Sequence, residues 1–559
     1  MKNNYSASKL SYINKDLIFN NIISTLLSFL LNIYIFNHYN NNNNDEYNNI
    51  KLLGISQIEC LLFYTLSTTL CRETMRKISI KYSMSKKLKD TKNDEIIFFT
   101  WFFNYFGLFI LLPIISLIFF NYPSKKIIDD NNNNNNNIKI EDYQLSIIII
   151  LIGTIFEIFS EPLFIYSQIL HYHKLKSTIE IISIITKYIT IFILIFFFDF
   201  LIIISFSIGC FVYSFTIFFS YFIYYFIFFD KNDLIKIIKP PPISEIINIE
   251  KKFIDLIKIT YINELCNLFS FEGGNILIML FNKDLTNQGV YSMIFSLFSL
   301  IIKPLLFFID EIISFTISNK LYKISSSSII QNNEDNNDIL ISKQIFISSL
   351  IKITTWISLL FILIIPRYTY IMVFFLNNTL PLLKKDNIFK TLSSYSIYIG
   401  FFIFNNIIES FLKRILKKRD MQDFNERSIV CFIISCILYV SIRSVFGIYT
   451  IIITNSLTIF IRIYFNIYIV KQYITNSWMS SMNIYFPYIL SFIITKITEF
   501  YIYKIGHFFH IFFGIFIFLF IIKAIYTNEN RLLHNIYEKI LLPFFSSPIS
   551  EEKRKKKGA

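Results

Sequence analysis

The sequence predicts an all-α polytopic membrane protein of about fourteen transmembrane helices, and three observations predict it. The first is composition: 54% of the 559 residues are hydrophobic and 16% are charged, with a mean hydropathy of +0.52, unlike the charge-rich average of a soluble domain. The second is length. A helix needs about 20 mostly apolar residues to cross the hydrocarbon core, and such segments follow one another along the chain. The third is charge asymmetry. With the first end in the cytosol and the segments alternating, 35 of the 53 Lys and Arg fall in cytosolic segments; 10, Arg443 among them, fall on the other side. The positive-inside rule asks for this bias.

The first apolar segment, Leu17 to Phe36, follows Lys2, Lys9 and Lys15. It is too long for a cleaved leader, and no small-residue cleavage site follows it. Further spans are expected at 50–71, 96–120, 143–170, 177–198, 200–229, 253–281, 288–316, 345–365, 391–412, 428–446, 447–470, 484–502 and 507–526. The closely spaced pairs at 177–229 and 428–470 leave the count open at those two places. Loop 366–390 runs against the charge rule, with Arg367, Lys384, Lys385 and Lys390 on the lumenal side. Its apolar run Tyr370 to Leu376 suits the membrane interface.

Residues 230–252, with Pro240-Pro241-Pro242, read as a stiff cytosolic hinge. It separates an N-terminal six-helix bundle, 1–229, from a C-terminal six-helix bundle, 253–470. Two further helices at 484–526 and a basic cytosolic tail at 527–559 complete the chain. Gly54-Ile55 opens the second span and Gly289-Val290 the eighth, an echo of the kind left by an internal repeat, with a substrate site between repeats. The tracts Asn40–Asn44, Asn131–Asn137 and Ser325–Ser328 cannot bury enough apolar surface to fold and read as inserted polar segments.

Composition also excludes some classes. The net charge of +14 belongs to the loops that set membrane orientation, so no nucleic-acid partner is expected. The six cysteines form no C-x-x-C pair, and neither a metal site nor a disulfide framework is indicated. No G-x-x-x-x-G-K-[ST] loop is present, and no cofactor or catalytic motif is expected. The 64 Phe and 35 Tyr accompany heavy Asn, Ile and Lys usage and read as biased codon usage.

Charges within the spans carry the functional signal. One at mid-bilayer costs about 2.5–3.5 kcal/mol on insertion scales, so each needs a partner, water or a purpose. Glu157 and Glu161 lie at i,i+4 on one helix face, followed by Pro162. Glu180 and Lys187 share a face in the next span. Glu264, Glu272 beside Gly273-Gly274, Lys303, Asp310, Glu311, Glu409, Arg443, Arg462, Lys496 and Glu499 follow, while Arg72, Glu73 and Arg76 sit at a cytosolic helix end. Ion pairs between helices and snorkelling ends account for any one of them. Their number in both halves also fits a hydrated central cavity, in which Arg72, Lys303 and Arg462 would suit an anionic headgroup such as pyrophosphate.

Several of these stretches resemble the Rft-type ("requiring fifty-three") protein family. Glu161-Pro162, Gln168, Lys174-Leu175-Lys176, Glu180 and Lys187 match it in identity and spacing, as do Arg72, Glu73 and Arg76. Glu272-Gly273, Asn287-Gln288-Gly289-Val290-Tyr291, Lys303, Asp310-Glu311, Ser394-Tyr395, Glu409, Asn455 and Arg462 continue the resemblance in order. Asn37, Asn275 and Lys303 stand where the family commonly has arginine, which makes the expected cavity less cationic. The resemblance implies the multidrug/oligosaccharide-lipid exporter fold: two pseudo-symmetric bundles around a central cavity plus two extra helices.

It also implies a role in moving a dolichyl-pyrophosphate oligosaccharide across the endoplasmic reticulum membrane, with that lipid and the surrounding membrane lipids as partners. The alternatives are a non-transporting accessory factor of N-glycosylation, a polytopic glycosyltransferase with Asp45-Glu46 in its first lumenal loop, and an exporter of other solutes. Near the end, Lys556 and Lys557 resemble a di-lysine retrieval signal; a basic tail drawn to anionic lipid is the other reading. Asn377-Asn378-Thr379 is a candidate lumenal N-glycan site at Asn377. Oligomeric state is not legible.

Overall fold

The structure, a computed structural model, describes residues 51–73, 76, 101, 104–121, 140–169, 173–228, 251–281, 285, 287–299, 302–306, 309–310, 351–369, 386–416, 418–447, 449–473, 485–501 and 507–528, with 23, 26–27 and 30–31. They are helical apart from short breaks, no strand occurs among them, and each of the fourteen expected spans contains described helical residues. Eight of the described helices are long and apolar enough to cross a bilayer. The protein is an all-α polytopic membrane protein. Asn377, Glu311, Lys556 and Lys557 lie outside the described residues, and so do the polar tracts and the hinge at 230–250.

We number the helices from the second span: α1 (51–73), α2 (Asn104–Asn121), α3 (Ile140–Ile169), α4 (His173–Phe197), α5 (Ile202–Phe228), α6 (Lys251–Phe281), α7 (287–299), α8 (Ile351–Thr369), α9 (Asp386–Ile415), α10 (Lys418–Phe446), α11 (Tyr449–Tyr473), α12 (Tyr485–Tyr501) and α13 (His507–Asn528). The chain divides into two compact units. One comprises 20–297 and 422–441; the other comprises 1–19, 298–421 and 442–559. Packing thus places α6 with α1–α5 and draws the middle of α10 to the same unit. Within that unit Phe269 of α6 stacks on Phe432 of α10 at 4.3 Å, and Phe281 meets Tyr439 at 5.7 Å.

Both close pairs of spans resolve into two helices each, and a single residue breaks each pair. Asp199, at φ 49°, turns the chain between α4 and α5; aspartate is among the few residues that visit this region readily. Gly447, at φ 55°, ends α10. Its N–H donates to the Arg443 carbonyl at 3.3 Å, the left-handed cap that glycine supplies at helix ends.

Proline and π turns leave carbonyls that lipid cannot satisfy. Pro162 lies inside α3, so the carbonyl four residues earlier, that of Ile158, loses its helical donor. The buried side chain of Asn104 on α2 supplies one, Nδ2 to Ile158 O at 3.0 Å. The π stretches Ile55–Cys60 and Gly107–Leu111 loosen α1 and α2. At their starts the Gly54 carbonyl accepts Gln288 Nε2 at 3.4 Å, and the Gly107 carbonyl faces Cys71 Sγ at 3.8 Å.

In the second unit α8 anchors the last two helices. Trp356 and Ile364 of α8 pack with Tyr488 of α12 and with Ile517 and Ile521 of α13. The Tyr488 hydroxyl donates to the Trp356 carbonyl at 2.9 Å, Tyr368 stacks on His510 at 4.7 Å, and Gly514 lets α13 approach the Tyr368 ring. Arg367 and Glu499 form a part-exposed ion pair at 2.7 Å.

Candidate functional site

The i,i+4 carboxylates of α3 face a second i,i+4 pair, the guanidinium groups of Arg72 and Arg76. Arg76 is bidentate on Glu161, with Nη2 2.6 Å from Oε1 and Nε 2.9 Å from Oε2. Its guanidinium also lies 3.5 Å above the Phe164 ring. Arg72 Nη1 donates to Glu157 Oε2 at 2.5 Å, and its Nε lies 3.4 Å from Glu161 Oε1. Glu157 Oε1 also accepts from the Tyr64 hydroxyl and from Ser214 Oγ of α5, the latter at 3.0 Å. Both glutamates are buried, Glu161 to 1%. Two cations meet two carboxylates, so the cluster is neutral and its strong hydrogen bonds are directed inward, joining α1, α3 and α5.

The other unit holds a different arrangement. Glu409 of α9 accepts from Asn405 Nδ2 at 2.7 Å and from Lys413 Nζ at 3.2 Å. Arg462 of α11 approaches Glu409 Oε1 only to 3.8 Å, beyond hydrogen-bond range. Asn466 of α11 donates to Asn405 Oδ1 at 3.0 Å, and the Asn406 amide nitrogen is buried with no hydrogen-bond partner. Two cations share one carboxylate here.

A third polar contact joins α1 and α7, the helices that open with the echoed glycines. Gln288 Nε2 donates to Glu59 Oε1 at 3.1 Å. A Cβ placed on Gly54 would lie 2.7 Å from the Gly289 nitrogen and 2.8 Å from its Cα, so the two backbones touch and only glycine fits there.

The structure therefore brings Arg72, Arg76, Glu157 and Glu161 together, and Glu409 with Arg462. The Glu73 backbone lies in the π stretch ending α1. Glu180 is 3.9 Å from Lys176 on its own helix. Lys187 lies within 5.8–5.9 Å of the Tyr64, Tyr188 and Tyr213 rings. Glu272 accepts from Asn275 Nδ2 at 2.6 Å. Lys303 is exposed and Asp310 half-buried. Asn455 is buried, its carbonyl accepting from Thr458 at 3.0 Å.

Sequence reasoning missed several residues of the polar contacts, Glu59, Lys413 and Asn104 among them. Glu59 is fully buried, and its signal was a lone carboxylate in ISQIEC. Lys413 was placed in a loop, although it falls i,i+4 from Glu409. Asn104 carries no sequence signal until its neighbour, Pro162, is known. Among the described residues no group of three or more His, Cys, Asp or Glu could hold a metal ion, and the six cysteines are free thiols.

Comparison with solved structures gives an inward closed form of the lipid II flippase MurJ, at TM-score 0.57 and 15% identity over 90% of this chain and 98% of that one. The chain has that fold. A Vibrio cholerae MATE transporter, VcmN, aligns at TM-score 0.46 and 11% identity, over 85% of this chain and 100% of the other. No curated protein matches by sequence. The profile of the Rft protein family (Rft-1) matches residues 13–539, and on that match, which takes in both charge clusters, the chain belongs to the Rft protein family.

Proposed function

We propose that this protein translocates a dolichyl-pyrophosphate oligosaccharide, of the Man(5)GlcNAc(2)-PP-dolichol type, from the cytosolic to the lumenal leaflet of the endoplasmic reticulum for protein N-glycosylation. The observation that carries the reading is a fold shared along 90% of the chain with a protein named as a lipid II flippase, in a member of the Rft family. A lipid substrate keeps its tail in the bilayer while a polar headgroup crosses between helices. Glu272, Lys303, Asp310, Glu409, Asn455 and Arg462 are the headgroup candidates.

The cytosolic placement of both ends is part of the proposal. The Arg367–Glu499 pair fits the alternation of the spans: α8 and α12 are the ninth and thirteenth, so their last turns are expected on one face, which the positive-inside count makes the lumenal one. Pairing there also removes the objection that Arg367 is an unneutralised lumenal cation. The retrieval role of Lys556 and Lys557 and a glycan at Asn377 belong to the same reading.

A non-transporting accessory role is the second reading. It is favoured by the N-terminal cluster, whose four charges neutralise one another and need no substrate to explain their burial. Reconstitution separates the two. Purified protein in liposomes should accelerate leaflet exchange of the lipid-linked oligosaccharide, and an exchange rate equal to that of empty liposomes would reject translocation. Cells lacking the protein should accumulate a truncated dolichol-linked oligosaccharide under either reading; a normal lipid-linked profile would reject both.

A further inference from the structure

We propose that residues 287–297, the first half of the eighth span, are a strap that docks reversibly on α1, and that its release opens the lumenal side of the protein. The lumenal side is the one the translocation reading assigns; the strap itself stands on its contacts.

The argument begins with a helix divided between the two units. The boundary falls between Leu297 and Phe298, inside α7. Leu285, Gly289 and Met293 fall at i, i+4 and i+8 and so share a face. Leu285 belongs to the apolar cluster that holds Ile55 and Phe63 of α1 and Ile147 of α3. Gly289 touches Gly54. Met293 packs against the cluster of Leu53, Ile191, Ile195 and Ile202. At the far end Phe298 meets Tyr395 of α9 at 5.3 Å. One helix thus has its first turns on the N-terminal helices and its last turn on α9.

The seat on α1 is built to let go. Gln288 is fully buried, and its amide bridges Glu59 Oε1 at 3.1 Å and the Gly54 carbonyl at 3.4 Å. Buried polar groups offset their desolvation only through the hydrogen bonds they make, so this contact holds less tightly than apolar packing of the same shape. Once apart, both groups bond to water, which an apolar seam cannot do. The glycines let the two backbones touch without interlocking side chains. Glu59 lies in the π stretch Ile55–Cys60, a winding that occurs mostly as single turns and often at functional sites. The other end of α1 is tied to α3 through Arg72 and Glu157, so α1 is the fixed partner and α7 the one that moves.

The test uses the full-length protein in sealed proteoliposomes of known orientation. Ser292, 2% exposed, is the reporter position: Ser292→Cys is labelled with a membrane-impermeant maleimide from either side, and labelling at position 292 is read by mass spectrometry. Adding Gln288→Glu sets a second carboxylate against Glu59 and should raise lumenal labelling roughly tenfold, the loss of about one buried hydrogen bond. The exchanged pair Glu59→Gln/Gln288→Glu again sets an amide against a carboxylate and should return labelling toward the parent rate. Amide hydrogen exchange of the Gln288→Glu protein should quicken across 287–297 and stay unchanged in α3. Loss of a merely structural contact would loosen α1–α6 alike.

Equal labelling with and without Gln288→Glu, or faster exchange throughout α1–α6, would overturn the strap. Labelling from the cytosolic face alone would overturn the side assigned to its opening. Leaflet exchange of lipid-linked oligosaccharide in the same liposomes separates the two readings. A strap that releases in a protein that exchanges no lipid rejects translocation and leaves the strap standing. A protein that exchanges lipid while 287–297 stays protected in the Gln288→Glu variant rejects the strap and leaves translocation standing.

Discussion

Replacing Glu161 by Gln removes one charge from a cluster whose members are buried and mutually matched. Arg76 then keeps its position over Phe164 but loses a bidentate carboxylate, and Arg72 loses the second of its two anions. Breaking a buried pair by removing one partner costs about 3–5 kcal/mol, because the remaining charge stays uncompensated. The upper part of that range applies to Glu161, whose side chain is 1% exposed against 15% for Arg76. At about 2 °C per kcal/mol, the lower figure for large domains, the apparent melting temperature should fall by roughly 8–10 °C.

Changing both members to Gln leaves two amides that can bond to each other and should cost about 1 kcal/mol, or roughly 2–3 °C. The difference is a coupling energy, which contact pairs show and distant pairs do not. Loss of the monodisperse peak of detergent-purified protein after a temperature series measures both. A double variant as unstable as the two single variants summed would mean that the groups are screened by water. So would a Glu161→Gln cost below about 1 kcal/mol. Either result would return Arg72 and Arg76 to the list of hydrated headgroup ligands.

Asn104→Leu should cost about 1–3 kcal/mol by stranding the Ile158 carbonyl, and adding Pro162→Ala should restore much of it, since alanine returns the missing N–H; thermal stability of the two variants reads this. Gly54→Ala should cost about 1–3 kcal/mol, because its Cβ would meet Gly289 backbone at 2.7 Å with no flexible side chain to give way. Glu499→Gln should cost less than about 1 kcal/mol and less still in high salt, the pair with Arg367 being part-exposed. Asn377→Gln should remove a glycosidase-sensitive gel shift if loop 366–390 is lumenal; a native chain with no shift counts against that placement.

The spans were legible in the sequence because apolar length is a one-dimensional property, and every expected segment contains described helix. The breaks at Asp199 and Gly447 fell where the expected spans were parted, but hydropathy left the count open there, and the positive backbone angles at those two residues closed it at two helices each. Glu157 and Glu161 announced themselves as one face of α3. What they face was decided by the fold, since Arg72 and Arg76 are about 85 residues away in sequence. The paired glycines show the same division. Gly54 and Gly289 were visible as an echo, but only packing put them in contact. Asn104 carried no signal by itself, because the need it answers lies in a neighbour, a carbonyl freed by proline; Lys413 had its i,i+4 spacing from Glu409, but that the carboxylate is shared with Arg462 was decided by packing. Hydropathy fixes which segments enter the membrane. It leaves their neighbours open, and inside lipid the neighbour decides whether a charge is a structural tie or a ligand.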